Sequence, residues 1–121
     1  TAAANATLSV FRTPGTYDRL HQLGDYLRQG MRRVLSARQI TAQIIGDGPL
    51  AQVVFSGESA FNYRSTNKGD KVVARATMLG LFRRGVFLNP MGTKLYLSIA
   101  HDEAIIDEFL NRFDDALGEA V

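Results

Sequence analysis

Apolar residues recur at steps of three and four positions in three stretches of the chain, the pattern of amphipathic helices. Thr16 is the predicted N-cap of a helix that extends to about Leu35. Asp70 is the predicted N-cap of a second helix, which ends at Gly85, and a last helix runs from about Asp102 to Leu117. The predicted inward stripes are Tyr17, Leu20, Leu23, Leu27, Met31 and Val34; Val72, Val73, Ala76, Leu79 and Phe82; and Ile105, Ile106, Phe109, Phe113 and Leu117.

The first residues, 1–12, are rich in alanine, the strongest helix former, and predict the end of a longer helix. Thr13-Pro14-Gly15 ends this helix, because proline cannot donate to the helical ladder and glycine accepts left-handed geometry. We therefore interpret 1–12 as the remainder of a helix and 13–121 as one domain. An apolar stripe on a helix without a partner would also predict self-association.

Between the helices the period changes to that of strands. Residues 41–45 and 50–55 are β-branched-rich runs joined by Gly46-Asp47-Gly48-Pro49, which predicts an antiparallel hairpin. Residues 86–88 and 95–99 are two further predicted strands, with Leu95, Leu97 and Ile99 on one face. The polar segment 56–69 is a predicted surface loop. The fold class is therefore α+β, a small three- to four-stranded, mainly antiparallel sheet with helices packed on one face.

Composition and charge exclude several classes of function. The sequence has no cysteine, so disulfides, thiolate metal sites and cysteine nucleophiles are excluded. Fourteen basic residues against twelve acidic ones give a formal charge of +2, too little for a nucleic-acid-binding surface. No apolar run is long enough to predict a membrane span. His21 and His101 are far apart and lack metal-site spacing, so no metal site is predicted. A chain without cysteine suits a reducing cytosol, and we expect a cytoplasmic protein.

No self-contained active site is predicted from the residues alone. Ser98, His101 and an aspartate could form a triad on paper, but Ser98 is predicted to lie mid-strand and lacks a nucleophile-elbow motif. A Schiff-base lysine needs burial or a nearby cation to lose its proton. Lys68 and Lys71 belong to a polar segment, and Lys94 opens a strand, where a solvated ammonium group is favoured over a buried one.

The segment Gly85–His101, GVFLNPMGTKLYLSIAH, resembles the C-terminal signature of class III aminotransferases, in the branch that includes glutamate-1-semialdehyde 2,1-aminomutase. DEAIIDEFLNRFDDAL resembles the terminal helix of that family, and TPGTYDRLHQLGDYLRQGMRRVL resembles the helix that follows its interdomain helix. AAANATL resembles the end of the interdomain helix. The resemblance implies a fold-type-I enzyme that uses pyridoxal phosphate and is normally a homodimer, with the chain as its C-terminal small domain.

The resemblance also implies where the substrate lies. In the family, the loop between the last two strands forms a wall of the substrate pocket, and here that loop is Asn89–Lys94. Aminomutases carry a glutamate in this loop, and Thr93 stands at the matching position. Lys94 could hold a substrate carboxylate as a point charge, so the substrate-binding candidates are Asn89, Thr93 and Lys94. The lysine and most groups that hold the cofactor belong to the family's large domain, so no catalytic or cofactor-binding residue is expected in this chain.

Two interpretations of the whole chain remain open at this stage. The first is a domain of a transaminase or aminomutase, inactive alone, that supplies a substrate-pocket wall and a dimer scaffold and packs against the large domain of the same chain. The second is an autonomous α+β binding or interaction module without catalysis. An exposed apolar stripe on the N-terminal helix favours the first, and a clean monomer in solution favours the second.

Overall fold

A computed structural model of the chain describes residues 1–60, 62–89 and 94–120, with the backbone alone at positions 63 and 66. It has five helices and three strands within these ranges: α1 Ala2–Phe11, α2 Thr16–Ala37, β1 Gln43–Ile45, β2 Leu50–Val54, α3 Tyr63–Thr66, α4 Lys71–Arg83, β3 Lys94–Tyr96 and α5 Glu103–Ala120. The strands form one antiparallel sheet in the order β1-β2-β3. The predicted α+β class is confirmed.

The hydrophobic core lies where α2 covers the sheet and α5 packs against both α2 and α4. The predicted stripes of α2 and α5 supply most of it, because their apolar side chains recur with the helical period. Its buried members include Leu23, Leu27, Met31 and Leu35 from α2, Ile44, Ala51 and Val53 from the hairpin, and Ile106, Phe113, Ala116 and Leu117 from α5.

The β1–β2 hairpin is formed as predicted, with Ile44 opposite Val53, and its turn is fastened to α2. Gly24 lets the helix approach the turn so closely that a Cβ there would lie 1.7 Å from the carbonyl oxygen of Gly48. The buried Arg28 donates to the carbonyl oxygens of Gly48 and Leu50 at 2.8 and 2.6 Å and pairs with Asp25 at 2.6 Å. The buried guanidinium is thus paired with a carboxylate of its own helix and bonded to two carbonyl oxygens of the hairpin, which links α2 to the turn.

The start of α2 differs from the prediction. Gly15, with φ of 86°, is the N-cap, and Thr16 is the first helical residue. Glycine takes this left-handed conformation without steric cost. The Thr16 hydroxyl does not cap the helix and donates to the carbonyl oxygen of Val10 at 3.1 Å. Tyr17 is exposed and stacks on Phe11 instead of joining the core stripe.

The N-terminus and C-terminal stop of α4 are as predicted, and its predicted inward stripe is confirmed in part, since Val73 and Phe82 are half-buried and pack against the core. Asp70 accepts hydrogen bonds from the backbone N–H groups of Val72 and Val73 at 3.0 and 3.1 Å, and Gly85 has φ of 78°. Val72 is 79% exposed and Leu79 is also exposed. The helix instead buries Thr77, Gly80 and Leu81, since small residues permit its close approach to α5.

The predicted strand 86–88 is wrong: among the described residues, one isolated antiparallel bridge joins Asn89 to Lys94, and 86–88 form no ladder. β3 pairs with β2 instead, with Leu50 opposite Tyr96 and Ala51 opposite Leu95. β3 also ends at Tyr96, so Ile99 lies beyond it and is exposed. In the predicted loop 56–69, the short helix α3 is present.

Candidate functional site: a cleft between 85–89, β3 and α5

An open cleft of about 660 Å³ lies between residues 85–89, strand β3 and helix α5. Its lining is mostly apolar, and the buried Leu27 of α2 contributes to it. Further apolar lining comes from Val86, Leu88, Leu95, Leu97, Ile106 and Phe109. A concave apolar surface with a small number of polar groups is the usual form of a ligand site.

Local sequence explains why the cleft stays open. Gly85 turns the chain out of α4, and the buried Leu88 then anchors the extended segment to the core. The bridge between Asn89 and Lys94 brings this segment back to β3 at one point. On the far side of β3, the Leu97 N–H donates to the carbonyl oxygen of Pro49 at 2.9 Å, which fixes the strand to the hairpin turn. The segment 85–89 and β3 are therefore joined by one backbone bridge among the described residues, and the cleft lies between them and α5.

His101 is the polar residue of the cleft with the best-defined geometry. Its Nδ1 accepts a hydrogen bond from the backbone N–H of Ser98 at 2.9 Å, and the Ser98 hydroxyl lies 3.2 Å from the same nitrogen. Because Nδ1 acts as the acceptor, the neutral ring carries its proton on Nε2. The ring is half-buried and lines the cleft.

Charged groups stand at the edge of the cleft. Arg112 and Glu108 both line it and form an ion pair with each other across one turn of α5. Lys94 lines it from β3 and is exposed, and no described carboxylate lies within ion-pair distance of its ammonium group. The described polar lining therefore carries one uncompensated positive charge.

Apolar side chains surround the cleft and face solvent. Phe87 is 83% exposed and stacks on Phe82 with ring centroids 5.6 Å apart. Tyr96 and Ile105 are also exposed and line the cleft, so Ile105 does not belong to the core stripe in which the sequence placed it. Exposed apolar residues clustered on one face are typical of a surface that binds a ligand or another protein surface.

The structure brings together two of the three substrate-binding candidates predicted from the sequence. Asn89 is half-buried and Lys94 is exposed, and both line the cleft beside their shared bridge. Thr93 lies outside the described residues. Ser98 lies in the turn after β3 and not mid-strand as predicted, and its hydroxyl accepts from the Ala100 N–H at 3.2 Å. Among the described side chains no carboxylate is hydrogen-bonded to His101, so no triad is assembled there.

Sequence reasoning missed the contributions of His101, Glu108 and Arg112 to the cleft. The signal was present in the spacing of α5: Ile105, Glu108, Phe109 and Arg112 recur at three- and four-residue steps and therefore share a face. That face borders the core stripe of α5, and the helical period alone does not separate a cleft-lining face from a core-facing one. The contact between His101 and Ser98 depends on the turn that ends β3, which periodicity alone does not reveal.

A bidentate ion pair connects α2 to the start of α5 outside the cleft lining. Arg19 donates to both carboxylate oxygens of Glu103 at 2.6 Å. These hydrogen bonds lower the pKa of Glu103 to about 2 and raise the pKa of Arg19. Nearby, Tyr26 donates to Asp107, and this hydrogen bond raises the pKa of the Tyr26 hydroxyl. These contacts fix the orientation of α5 relative to α2.

Metal-ligand clusters and membrane-spanning helices are both absent from the parts of the chain that the structure describes. Within 1–60, 62–89 and 94–120, no three histidine or acidic side chains are grouped as metal ligands. No helix in those ranges combines the length and apolar character required to cross a bilayer.

The chain was compared with known proteins, and no protein-family model matches it. It is 32% identical over 102 residues to the glutamate-1-semialdehyde 2,1-aminomutase of Methanothermobacter thermautotrophicus, a match that covers 84% of this chain and 24% of that enzyme. In fold, it matches a glutamate-1-semialdehyde aminomutase of Pseudomonas aeruginosa, solved in complex with PMP, with a TM-score of 0.81. That match has 21% identity and covers 90% of this chain and 24% of the other. The chain belongs to the class III aminotransferase family.

A second similar fold is that of an ω-transaminase from Sphaerobacter thermophilus, with a TM-score of 0.77 and 24% identity, over 89% of this chain and 25% of that one. The chain spans about a quarter of the length of the class III aminotransferases it matches. The family resemblance seen in the sequence 85–101 is therefore confirmed, together with the fold that it implied.

Proposed function

We propose that the chain is the C-terminal small domain of a pyridoxal-phosphate-dependent class III aminotransferase or aminomutase, and that it forms one wall of the substrate pocket. The observation that carries the proposal is the cleft, which opens at the domain surface beside the Asn89–Lys94 bridge. Likeness to an aminomutase over 84% of the chain supports the same assignment.

Lys94 is the residue proposed to contact the substrate. Its ammonium group is exposed at the cleft and no described carboxylate neutralises it, so a substrate carboxylate would be its natural counterion. Asn89, bridged to Lys94, and Thr93 belong to the same proposed wall. Threonine at position 93, in place of the glutamate of aminomutases, favours a transaminase within this proposal.

The described residues do not fit covalent attachment of the cofactor. A Schiff-base lysine must be desolvated or lie near another cation to be neutral. Lys68, Lys71 and Lys94 are all exposed, and Lys68 is paired with Glu58 at 3.2 Å. We therefore propose that a large domain of the same protein holds pyridoxal phosphate, that this domain binds none, and that it is inactive alone.

Exposed apolar surface supports a scaffold role. None of the residues of α1 is buried, and Leu8 and Val10 are exposed on it. We propose that residues 1–12 are the end of an interdomain helix, that residues 13–121 pack against the large domain, and that two copies form a homodimer. A cytoplasmic location is proposed because the sequence contains no cysteine.

The first test replaces Lys94 with methionine in the full-length protein. Lys94→Met is expected to raise KM for carboxylate substrates about two- to five-fold, because exposed charge pairs have modest energies. Amines without a carboxylate should keep their KM. Lys71→Met, which removes an exposed lysine from α4 outside the cleft lining, is the matched control. Equal KM values for Lys94→Met and the parent would remove Lys94 from the pocket.

The second test concerns the assignment itself. The coding sequence upstream of Thr1 should encode a cofactor-binding lysine with an acidic residue some tens of positions before it, and the full-length protein should show pyridoxal-phosphate absorbance and amino transfer. A full-length protein without either property would contradict the proposal.

Light scattering on the 121-residue chain is a further test. Self-association through α1 would support the proposal that this helix packs against another domain, and a clean monomer would favour an autonomous binding module.

A further inference from the structure

We infer that the cleft between 85–89, β3 and α5 is a binding site for a small monocarboxylate with an aromatic or branched apolar body, and that His101 donates a hydrogen bond to it. This inference deepens the proposed function, since such a ligand would correspond to the substrate or its side chain. Binding itself requires neither cofactor nor catalysis.

The size and walls of the cleft indicate the body of the ligand. A volume of about 660 Å³ lies within the range of small-molecule sites. The lining combines aliphatic residues from three elements with the aromatic side chains of Phe87, Tyr96 and Phe109. Such walls gain free energy by removing apolar ligand surface from water, and flat rings fit between aromatic faces. A sugar or a nucleotide would leave many polar groups unpaired against them.

His101 supplies the directional polar group. The Ser98 backbone N–H occupies Nδ1 at 2.9 Å, which leaves Nε2–H as the free donor of the neutral ring. No hydrogen bond from Nε2 to another described residue is formed. A half-buried N–H without a protein acceptor, in the wall of a cleft, is suited to an oxygen atom of a ligand.

The charges select the head group. Arg112 is neutralised by Glu108 within the same helix turn, so the pair contributes little net field. Lys94 remains as the uncompensated charge in the described lining. One uncompensated cation and the His101 N–H donor are suited to a carboxylate, and the polar side chains of Asn89 and Tyr96 also line the cleft. A second negative charge on the ligand would find no second uncompensated cation in the described lining, and a cationic head group would be repelled. We favour a small molecule over a peptide because the buried Leu27 belongs to the lining, which shows that the cleft reaches the core.

The test uses the ¹⁵N-labelled 121-residue chain and two probes of equal shape, phenylacetate and the neutral phenylacetamide. Phenylacetate is expected to give saturable shifts of the backbone amides of Phe87, Tyr96 and His101, and to bind about two- to five-fold more tightly than the amide. Lys94→Met should abolish that difference, and Lys71→Met should retain it. Absence of saturable shifts at the cleft, shifts confined to α1, or equal binding of the two probes to the parent chain would overturn the inference.

The role of His101 has its own readout. Imidazole ¹⁵N spectra of the neutral ring should show the proton on Nε2, and the Nε2 signal should shift when phenylacetate binds. His101→Phe should weaken binding about two- to ten-fold, as expected for one hydrogen bond, and His101→Gln, which keeps an N–H donor, should restore part of it. A proton on Nδ1, or a His101→Phe chain that keeps its fold and full affinity, would remove His101 from the site.

The outcomes separate this inference from the proposed function. Phenylacetate binding at the cleft, with a full-length protein that lacks pyridoxal phosphate, would support the site and contradict the aminotransferase assignment. An active full-length enzyme whose small domain shows no saturable binding would support the assignment and contradict the site.

Discussion

The two ends of the small sheet are held in different ways. At the hairpin end, Arg28 donates to two carbonyl oxygens, and Gly24 packs against the backbone of Gly48. At the cleft end, one bridge between Asn89 and Lys94 connects the extended segment 85–89 to β3. The hairpin end is thus held by several contacts, whereas the surface that we propose to contact a ligand has apolar side chains exposed to water.

Two phenylalanines offer the strongest test of this contrast. Phe113 of α5 is 1% exposed, and Phe87 of the cleft is 83% exposed. Phe113→Ala is expected to lower the free energy of unfolding by about 3–5 kcal/mol, because it leaves a cavity in the core. Phe87→Ala should lower it by less than about 1 kcal/mol. Urea unfolding of both variants measures the difference, and similar losses would show that the cleft segment is part of the folding core.

A glycine at the hairpin end gives the next largest effect. Gly24→Ala places a methyl group 1.7 Å from a backbone oxygen, which has little freedom to move, so the helix and turn must separate. A loss of about 1–3 kcal/mol is expected, as for other overpacked sites. Gly118→Ala is the control, since its methyl would meet only the flexible guanidinium of Arg38 at 2.9 Å and alanine favours the helix. A stable Gly24→Ala chain would mean that the turn is not fixed to α2.

The smallest expected effect concerns the ion pair that orients α5, whose first residues flank the cleft. Hydrogen bonds from Arg19 lower the pKa of Glu103 to about 2, below the value near 4.3 of an unfolded glutamate. The pair therefore stabilises the fold fully above about pH 4.3 and loses its contribution as the pH falls towards 2. A carboxyl ¹³C titration by NMR should give a midpoint far below 4, and Arg19→Met should return it to the ordinary range.

Arg33→Met provides the matched control for that titration. Arg33 lies on the same helix but makes no ion pair with a described carboxylate, so its removal should leave the Glu103 midpoint unchanged. An equal shift in both variants would show that general loss of positive charge, and not the bidentate contact, controls the pKa.

Sequence reasoning succeeded where a repeated pattern controls structure. The stripes of α2 and α5, the Asp70 cap and the Gly46–Pro49 turn each carry a local physical signal, and all four are present in the structure. The sequence predicts a strand at 86–88 because a short apolar run has the same pattern in a ladder and in an extended segment. The pattern of apolar residues places Val72 in the core. The face that α4 buries contains Thr77 and Gly80, which a search for large apolar residues passes over.

The residues of the candidate site also differ in whether a sequence pattern can reveal them. Asn89 and Lys94 were accessible to sequence reasoning because the segment around them resembles a family signature, and both line the cleft; their contact with a ligand is a proposal. His101 was not accessible in this way, since its orientation depends on a backbone N–H three residues earlier in a turn. Glu108 and Arg112 are spaced like an ordinary ion pair on a solvated helix surface. Their sequence therefore does not indicate that they line a cavity.

The Asn89–Lys94 bridge has a consequence for how this protein can diverge. Among the described residues, this one pair joins the segment 85–89 to β3, and neither Asn89 nor Lys94 is in the hydrophobic core. Exchanges of Asn89 or Lys94 are therefore expected to change the stability of the hydrophobic core little. Side chains at these two positions, and with them the proposed ligand preference, can therefore change over evolution at small cost to folding.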